Sequence, residues 1–384
     1  MIRFSINTLG CKVNLCESDD ISRELAGSGF EMVSFSDDPD FCIINTCTVT
    51  TESDRKARQL IRRIKNENKR AKIIVTGCFT GSNRGFLEDS GIDHIINNDD
   101  KDSIPELLSG LVDGEDLKGS FRSNIPEVDC TEKMIDQEKL INVSHSRPLI
   151  KIQDGCEQNC TYCIVPRVRG RYSSTGFLDI ISKIELIEEV GYEEIVLTGI
   201  HIGKYGVDIK SLSSAGDGST VYDLSQLITE IIDRTKIKRI RISSLEINEV
   251  TSGLLEVIKD NSMRIAPQLH IPLQSGSNRI LDDMGRPYNR EYFIKKIIAV
   301  RKVFPDIALT TDIMVGFPGE SNSDFMETAS LVKELFFSKL HVFKYSPRPG
   351  TIASKLKEQV DSRLKSKRSE KLRKLGGILR DDYI

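Results

Sequence analysis

The chain has 384 residues, enough for two domains that each bury a core, and 39% of its residues are hydrophobic. Its formal net charge of -3 gives no global sign of a nucleic-acid partner, so any such surface must be local. Because no apolar run approaches the roughly 18 residues of a spanning helix and no signal-peptide core opens the chain, we expect a cytoplasmic protein without a membrane partner.

Strand-like and helix-like segments alternate over about the first 110 residues, which is the pattern of a doubly wound parallel sheet. We therefore predict an N-terminal α/β domain over residues 1–112. In its second helix, the apolar residues between Ala57 and Ile64 recur at i, i+3, i+4 and i+7 and form one face. Strands are predicted at residues 3–9, 41–46 and 72–76, and helices from near Leu15 and Glu52.

The periodicity is lost over residues 113–143, which we predict to be a connector. Residues 144–384 then contain about six βα units, enough for a partial (β/α)6 barrel, in which the active site lies at the carboxyl ends of the strands. The basic segment from Arg363 to Lys374 predicts a solvated amphipathic helix. Barrel strands are predicted at residues 148–153, 194–197, 238–242, 268–271, 307–315 and 339–343, and helices from near Gly176, Tyr222, Ile247, Arg290 and Ser323.

The chain has nine cysteines, an odd number. In a protein expected in the cytoplasm, they are more often metal ligands or reactive thiols than members of disulfides. Cys156, Cys160 and Cys163 form a CxxxCxxC motif after a predicted strand, so one short loop can wrap them around an iron-sulfur cluster. Three ligands leave one of four irons open to bind the amino and carboxylate groups of S-adenosylmethionine (SAM). A structural zinc loop is the alternative, but it needs a fourth ligand that the neighbouring sequence does not offer.

Three further cysteines, Cys11, Cys47 and Cys78, each follow the end of a predicted parallel strand, so they should open into one crevice. Small or turn-forming residues around them let the backbone approach a bulky cofactor closely. Three buried core cysteines are the alternative, but the repeated position at strand ends favours a second cluster with an open iron. Of the remaining cysteines, Cys16 and Cys42 are expected in ordinary packing, and Cys130 lies in the connector without a predicted role.

A basic segment follows Cys47: residues 55–72 hold nine Lys or Arg against one Glu. Such a run is often only a solvated helix face, but its position beside a predicted cluster ligand favours contact with a polyanion. Basic residues that follow the CxxxCxxC motif support the same interpretation. The candidate contacts are Arg55, Arg58, Arg62 and Arg169, with Lys65 on the same helix face as the first three and Arg167 and Arg171 near the last.

With both cysteine sets in place, the chain resembles the radical SAM methylthiotransferases, which place a methylthio group on an unactivated carbon. The resemblance extends over nearly the whole chain, from TLGCKVN at 8–14 through NTCTVT at 45–50, RISSLE at 241–246, LHIPLQSGS at 269–277 and TTDIMVGFPGE at 310–320. LTGIHIGKYG at 197–206 and HVFKYSPRPGT at 341–351 most resemble the branch that acts on N6-threonylcarbamoyladenosine in tRNA.

The resemblance implies two 4Fe-4S clusters, two SAM molecules per turnover and a sulfur source. At the Cys156/Cys160/Cys163 cluster, SAM would yield a 5′-deoxyadenosyl radical that activates carbon 2 of the adenine at tRNA position 37. Sulfur carried at the Cys11/Cys47/Cys78 cluster and methylated by a second SAM would then be inserted. The implied partners are tRNA, an electron donor such as flavodoxin or ferredoxin, and iron-sulfur assembly proteins.

Positions in the barrel motifs indicate SAM contacts at Gly199, Ser243, Gln274 and Gly316, each of which follows a strand that ends at the same mouth. Tyr162, between two ligands, is expected against the adenine of SAM. Turn glycines and helix caps are the alternative for these positions. Family members usually continue into a small β-barrel domain, called TRAM, that binds tRNA, and the sequence to Ile384 has no run of short strands after its last predicted helix. We therefore expect either a truncated chain or a different mode of tRNA recognition.

Two other functions remain open. One is the same reaction on an isopentenyl-type tRNA adenosine or on a ribosomal protein side chain. The other is a non-enzymatic iron-sulfur scaffold or electron carrier, for which two clusters would suffice, but which does not require barrel segments such as RISSLE and IPLQSGS.

Overall fold

The computed structural model describes residues 1–113, 147–212 and 223–383; the predicted connector with Cys130 lies outside these ranges, apart from its first residue. The described chain divides into two compact units. The first is Met1–Leu149 with Arg167–Arg169 and Glu189–Gly191, and the second comprises the rest. The domain boundaries at 112 and 143 stay a prediction.

The first unit is an α/β layer structure built on five parallel strands in the order β2-β1-β3-β4-β5. This is the doubly wound sheet that the alternating pattern predicts. The two short strands, β2 and β5, were not predicted because two residues carry no periodicity. The strands are β1 (Arg3–Thr8), β2 (Glu31–Met32), β3 (Phe41–Thr46), β4 (Lys72–Gly77) and β5 (His94–Ile95); the helices are α1 (Lys12–Gly27), α2 (Thr51–Glu67), α3 (Arg84–Asp89) and α4 (Ile104–Asp113).

Both faces of this sheet are buried, because successive side chains of a strand point to opposite sides. Ile43 and Ile74 belong to a cluster that includes residues of α1 and α4. Their neighbours Ile44 and Val75 belong to a second cluster with the apolar face of α2, including Ile61. Near-continuous apolar strands are therefore what this sheet requires.

The second unit contains two sheets, in the orders β7-β6-β8-β9 and β10-β11-β12. Isolated parallel bridges, including Ile240 to Ile265 and Ser244 to His270, continue the pairing from β9 towards β10. The six longer strands thus follow one another in chain order, as a partial parallel barrel requires. The strands are β6 (Leu149–Asp154), β7 (Ser173–Ser174), β8 (Glu194–Gly199), β9 (Arg239–Ile242), β10 (Gln268–His270), β11 (Ala308–Val315) and β12 (Lys339–Lys344).

The helices predicted from near Gly176, Tyr222, Arg290 and Ser323 begin within two residues of those positions. The helix expected from Ile247 begins at Ser252, because the Thr251 side chain accepts a hydrogen bond from the Leu254 N–H and caps it there. The helices are α5 (Val165–Arg169), α6 (Phe177–Glu189), α7 (Val207–Leu212), α8 (Leu224–Arg234), α9 (Ser252–Asp260), α10 (Asn278–Asp283), α11 (Arg290–Val303), α12 (Asn322–Glu334) and α13 (Ser362–Tyr383). Three short helices, α5, α7 and α10, were not predicted.

The basic C-terminal helix α13 is amphipathic, as predicted, and one of its faces is buried. Leu372 and Leu379 are almost inaccessible to solvent. An added Cβ on Gly376 would lie 3.1 Å from the Leu340 side chain, so this face packs closely on β12. Across the described ranges, no helix combines the length and apolarity needed to cross a membrane.

The glycine of the LQSGS segment is a packing requirement of the barrel. A Cβ added at Gly276 would lie 2.6 Å from the Thr328 Cα in α12. We predict that Gly276→Ala lowers the free energy of unfolding by about 1–3 kcal/mol, because backbone must move to admit the methyl group. The matched control is Gly253→Ala in α9, where nothing lies within 4 Å and the change is expected between neutral and about 1 kcal/mol stabilising. Denaturant unfolding followed by circular dichroism measures both; equal midpoints would contradict the packing argument.

Candidate functional site

The first cysteine set lies at the carboxyl ends of three neighbouring parallel strands. Thr46, the last residue of β3, pairs with Gly77, the last of β4, and β1 pairs with the other side of β3. Cys47 and Cys78 therefore follow paired residues directly, and Cys11 follows the end of β1. Cys47 and Cys78 are buried, whereas Cys11 is exposed. The first unit thus has one edge that carries three thiols from distant parts of the sequence.

Two glycines permit this close arrangement. Gly77 has a φ of +93°, and a Cβ there would lie 2.3 Å from the Thr46 carbonyl oxygen. Gly10 has a φ of +134°, and its Cβ would lie 3.0 Å from that of Cys47. A side chain at either position would strain the backbone and push the cysteine loops apart.

Buried polar side chains form hydrogen bonds with these thiols and with the backbone beside them. The sequence did not indicate these contacts. Asn14, the last residue of the LGCKVN segment, donates to the Thr46 carbonyl at 3.0 Å and accepts from the Cys11 thiol at 3.3 Å. Arg169 donates from Nε to the Cys78 sulfur at 3.1 Å and also binds Glu17. The two contacts of Arg169 span 91 and 152 residues of sequence, so no local pattern indicates them.

The second cysteine set lies on the loop between β6 and α5. The Cys156 N–H donates to the Gly170 carbonyl at 3.1 Å, and the Cys163 N–H donates to the Cys160 carbonyl at 3.0 Å. Gly155, before the first ligand, has a φ of +71°, and an added Cβ would lie 1.7 Å from the Arg171 carbonyl. Backbone contacts, rather than regular structure, therefore fix the loop.

Arg286 is a site residue that the sequence motifs did not indicate. Its guanidinium donates to the Cys160 sulfur at 3.2 Å and to the Tyr162 hydroxyl at 3.4 Å, and it forms a salt bridge with Glu246, the last residue of RISSLE. The Arg286 side chain is only 2% exposed. A fixed positive charge thus lies beside one sulfur of the CxxxCxxC motif.

His201 contacts a second sulfur of this motif. Its Nδ1 lies 3.5 Å from the Cys156 sulfur, and its Nε2 faces Glu249. Burial lowers the pKa of His201, but the contacts with Cys156 and Glu249 outweigh burial and raise it to about 9. Both ring nitrogens therefore carry protons at neutral pH and can donate. His201 lies in the LTGIHIGKYG segment, whose resemblance was the only signal that could have indicated it.

The buried thiols are hard to deprotonate in the absence of metal. Burial raises the pKa of Cys78 to about 11 and that of Cys163 to about 12, and the positive charges of Arg169 and Arg286 respectively oppose this rise. A metal that binds these sulfurs must displace their protons, as is usual for thiolate ligands.

The predicted SAM contacts all occupy the carboxyl-end side of the barrel strands, and each also has a structural role. A Cβ at Gly199 would lie 2.7 Å from the Gln153 carbonyl, and the Ser243 hydroxyl donates to the Leu197 carbonyl at 2.8 Å. Gln274 and Gly316 both have positive φ values, of 65° and 73°.

Tyr162 lies in a small aromatic cluster at this end of the barrel. Its ring packs edge to face on Phe317, the residue after Gly316, with the ring centroids 6.5 Å apart, and Phe317 packs in turn on Tyr345. The structure therefore brings Tyr162 and the Gly316 corner together, while the contact of all five residues with SAM stays a prediction.

The basic face of α2 is partly engaged within its own unit. Arg58 stacks over the rings of Phe79 and Phe86 and donates to Asn83, and Arg62 also lies over Phe86. Arg55 is exposed and pairs with Glu52. Of the predicted tRNA contacts on this helix, Arg55 and Arg62 are the more accessible to a partner.

Both cysteine sets offer the thiol donors that an iron-sulfur cluster takes. None of the eight described cysteines forms a disulfide. In residues 1–113, 147–212 and 223–383, no three His, Cys, Asp or Glu side chains are grouped closely enough to hold one metal ion. A cluster, in contrast, takes its thiolates at different irons and therefore accepts wider spacing. The donors at Cys78, Cys156 and Cys160 suit ligand sulfurs that carry negative charge.

Comparisons with known proteins define the class first. Residues 150–332 match the Radical SAM superfamily model, and residues 3–96 match the model described as uncharacterized protein family UPF0004. The fold is similar to that of the radical SAM methyltransferase TsrM from Kitasatospora setae, with a TM-score of 0.64 and 15% identity over 92% of this chain and 77% of that one. It is also similar to the radical SAM enzyme OxsB, with a TM-score of 0.57 and 12% identity over 99% and 56% of the two chains. The chain therefore has the radical SAM fold, which confirms the predicted class.

Closer relatives specify the family. The chain is 37% identical to the threonylcarbamoyladenosine tRNA methylthiotransferase MtaB of Bacillus subtilis, over 100% of this chain and 82% of the relative. It is 34% identical to MtaB of Aquifex aeolicus over 100% and 90%, and 34% identical to a tRNA-2-methylthio-N(6)-dimethylallyladenosine synthase of Thermotoga petrophila over 97% and 81%. The chain belongs to the radical SAM methylthiotransferases and is an enzyme of that type. This membership implies a 4Fe-4S cluster and SAM as cofactors.

The contacts of Arg286 predict different effects for two neighbouring substitutions. Arg286→Met removes the donor to Cys160 and leaves Glu246 without its cation, whereas Tyr162→Phe removes only one long hydrogen bond. In the 384-residue chain with Cys11, Cys47 and Cys78 replaced by Ala, we expect Arg286→Met to release iron to a chelator about 10–100-fold more readily than its parent. Tyr162→Phe should stay within about twofold. Equal release from both variants would contradict a supporting role for Arg286.

Proposed function

We propose that this enzyme adds a methylthio group to carbon 2 of N6-threonylcarbamoyladenosine at position 37 of tRNA. Four of the relatives, 34–37% identical, are named for this nucleoside. The single structural observation that carries the proposal is the presence of two separate cysteine sets, one after the ends of three parallel strands and one on the loop after β6, each contacted by a buried arginine.

We assign Cys156, Cys160 and Cys163 to the radical SAM cluster and Cys11, Cys47 and Cys78 to an auxiliary cluster. When bound, the first supplies the electron that cleaves SAM and the second holds the sulfur that is inserted. Side chains of the protein position the loop and shield the site. Arg286 and His201 donate to ligand sulfurs and hold the loop. Tyr162 and Phe317 pack together and exclude water from this side. Gly199, Ser243, Gln274 and Gly316, with Tyr162, are the proposed SAM contacts.

For tRNA we propose contacts from Arg55 and Arg62 on α2, because their guanidinium groups are exposed on a helix that follows Cys47. Arg58 lies on the same helix and stacks on Phe79 and Phe86, which fixes its side chain next to this surface. The proposal also includes a flavodoxin- or ferredoxin-type electron donor, iron-sulfur assembly proteins, a sulfur source and a location in the cytoplasm, where tRNA is modified.

A second substrate has specific support. The relatives named for the dimethylallyl-type adenosine are 31–34% identical to this chain, close to the range of the first four. The reaction and both cluster assignments would be the same, and only the group on N6 would differ.

Nucleoside analysis of tRNA distinguishes the two substrates. We predict that deletion of the gene removes 2-methylthio-N6-threonylcarbamoyladenosine, leaves the unmethylthiolated nucleoside in its place and does not change the dimethylallyl series. Expression of the wild-type chain should restore the nucleoside. Variants Cys47→Ala and Cys160→Ala should not, because each lacks a proposed cluster ligand, whereas Cys42→Ala, a buried cysteine within β3, should restore it if the chain folds.

Loss of the dimethylallyl-type methylthio nucleoside instead would transfer the proposal to the second substrate. An unchanged nucleoside profile in a strain with no second enzyme of this type would contradict both. Mass spectrometry of digested tRNA provides the measurement.

A further inference from the structure

A buried arginine donates directly to a sulfur of the proposed auxiliary cluster. The Arg169 Nε lies 3.1 Å from the Cys78 sulfur, and the Arg169 side chain is only 1% exposed. The same guanidinium binds the Glu17 carboxylate at 3.0 Å and the Asn14 side-chain oxygen at 2.7 Å. Because the guanidinium is planar, these contacts fix the direction in which Nε–H points.

The charges around Arg169 favour an anionic neighbour. Lys101 and Arg169 both pair with Glu17, and the three side chains are 3%, 1% and 2% exposed. Within this triad, two cations share one carboxylate. A 4Fe-4S cluster in its oxidised form that is bound by three thiolates carries one net negative charge, and reduction adds another. A cation that donates to a ligand sulfur therefore stabilises the reduced form more than the oxidised one.

We propose that Arg169 tunes the auxiliary cluster by donating a charged hydrogen bond to the Cys78 thiolate and thereby raises the reduction potential of that cluster. The inference rests on the proposed assignment of a cluster to Cys11, Cys47 and Cys78. Arg169 acts through a ligand and is a positioning residue. The sequence led us to expect that Arg169 contacts tRNA. We now assign it this role at the cluster instead, because its guanidinium is buried and forms hydrogen bonds within the first unit.

Lys101 provides a matched control for a purely structural role. It donates to the same Glu17 carboxylate, and its charge also acts on Cys78, but among the described residues no hydrogen bond joins it to a sulfur. Arg169→Met leaves a balanced Lys101–Glu17 pair, and Lys101→Met leaves a balanced Arg169–Glu17 pair. Each variant thus removes one cation from Glu17 and leaves the other in place, but only the first removes the N–H donor from Cys78.

The experiment uses the 384-residue chain with Cys156, Cys160 and Cys163 replaced by Ala, reconstituted anaerobically with iron and sulfide so that only the auxiliary cluster is observed. Redox titration followed by electron paramagnetic resonance gives its midpoint potential. We expect Arg169→Met to lower the equilibrium constant for reduction at least tenfold, or about 59 mV for a one-electron couple. Lys101→Met should stay within about twofold of the parent, or roughly 20 mV. Arg169→Lys, which keeps the charge but not the planar fork, should fall between them.

Equal shifts in Arg169→Met and Lys101→Met, or no shift in either, would overturn the inference and leave the cluster assignment intact. If Arg169→Met does not fold, the comparison of Arg169→Lys with Lys101→Met decides, since only the first should lower the potential. A parent chain that binds no cluster would instead refute the auxiliary-cluster assignment itself, and this inference with it.

Discussion

Parallel pairing of β1, β3 and β4 is the constraint on which the first site depends. Residues 11, 47 and 78 are far apart in the chain, and only the common direction of these strands brings their thiols to one edge. The last residues of β3 and β4 are paired with each other, so a one-residue slip would displace Cys47 relative to Cys78 and turn its side chain to the other face. Gly10 and Gly77 allow the cysteine loops to approach the neighbouring strand end more closely than a residue with a Cβ would.

The two cysteine sets are built differently but share a chemical principle. One set is distributed over strand ends, and the other lies on a single loop fixed by backbone hydrogen bonds. In each, a buried arginine that also binds a carboxylate donates to one sulfur: Arg169 with Glu17 and Arg286 with Glu246. The carboxylate holds the guanidinium in place and offsets part of its charge. The protein thus supplies fixed donors where thiolates develop charge, and a bound cofactor would supply the chemistry.

Much of the fold could be predicted from the sequence, and there are physical reasons why some contacts of the site could not. The long strands, the barrel and the CxxxCxxC set follow from local periodicity and spacing, and the grouping of Cys11, Cys47 and Cys78 follows from their common position after predicted parallel strands. The Glu17, Lys101 and Arg169 triad joins three distant segments, so only the folded backbone brings it together. Similarly, α2 has the predicted apolar face, but the stacking of Arg58 depends on Phe79, between β4 and α3, and on Phe86 in α3, and the sequence alone indicated a free basic surface.

A count of iron and acid-labile sulfide per chain after anaerobic reconstitution decides whether each cysteine set holds its own four-iron cluster. We expect about eight irons for the wild-type chain and about four for each of two triple variants, one with Cys11, Cys47 and Cys78 replaced by Ala and one with Cys156, Cys160 and Cys163 replaced. A wild-type chain with about four irons, or a triple variant that keeps the wild-type count, would contradict this expectation.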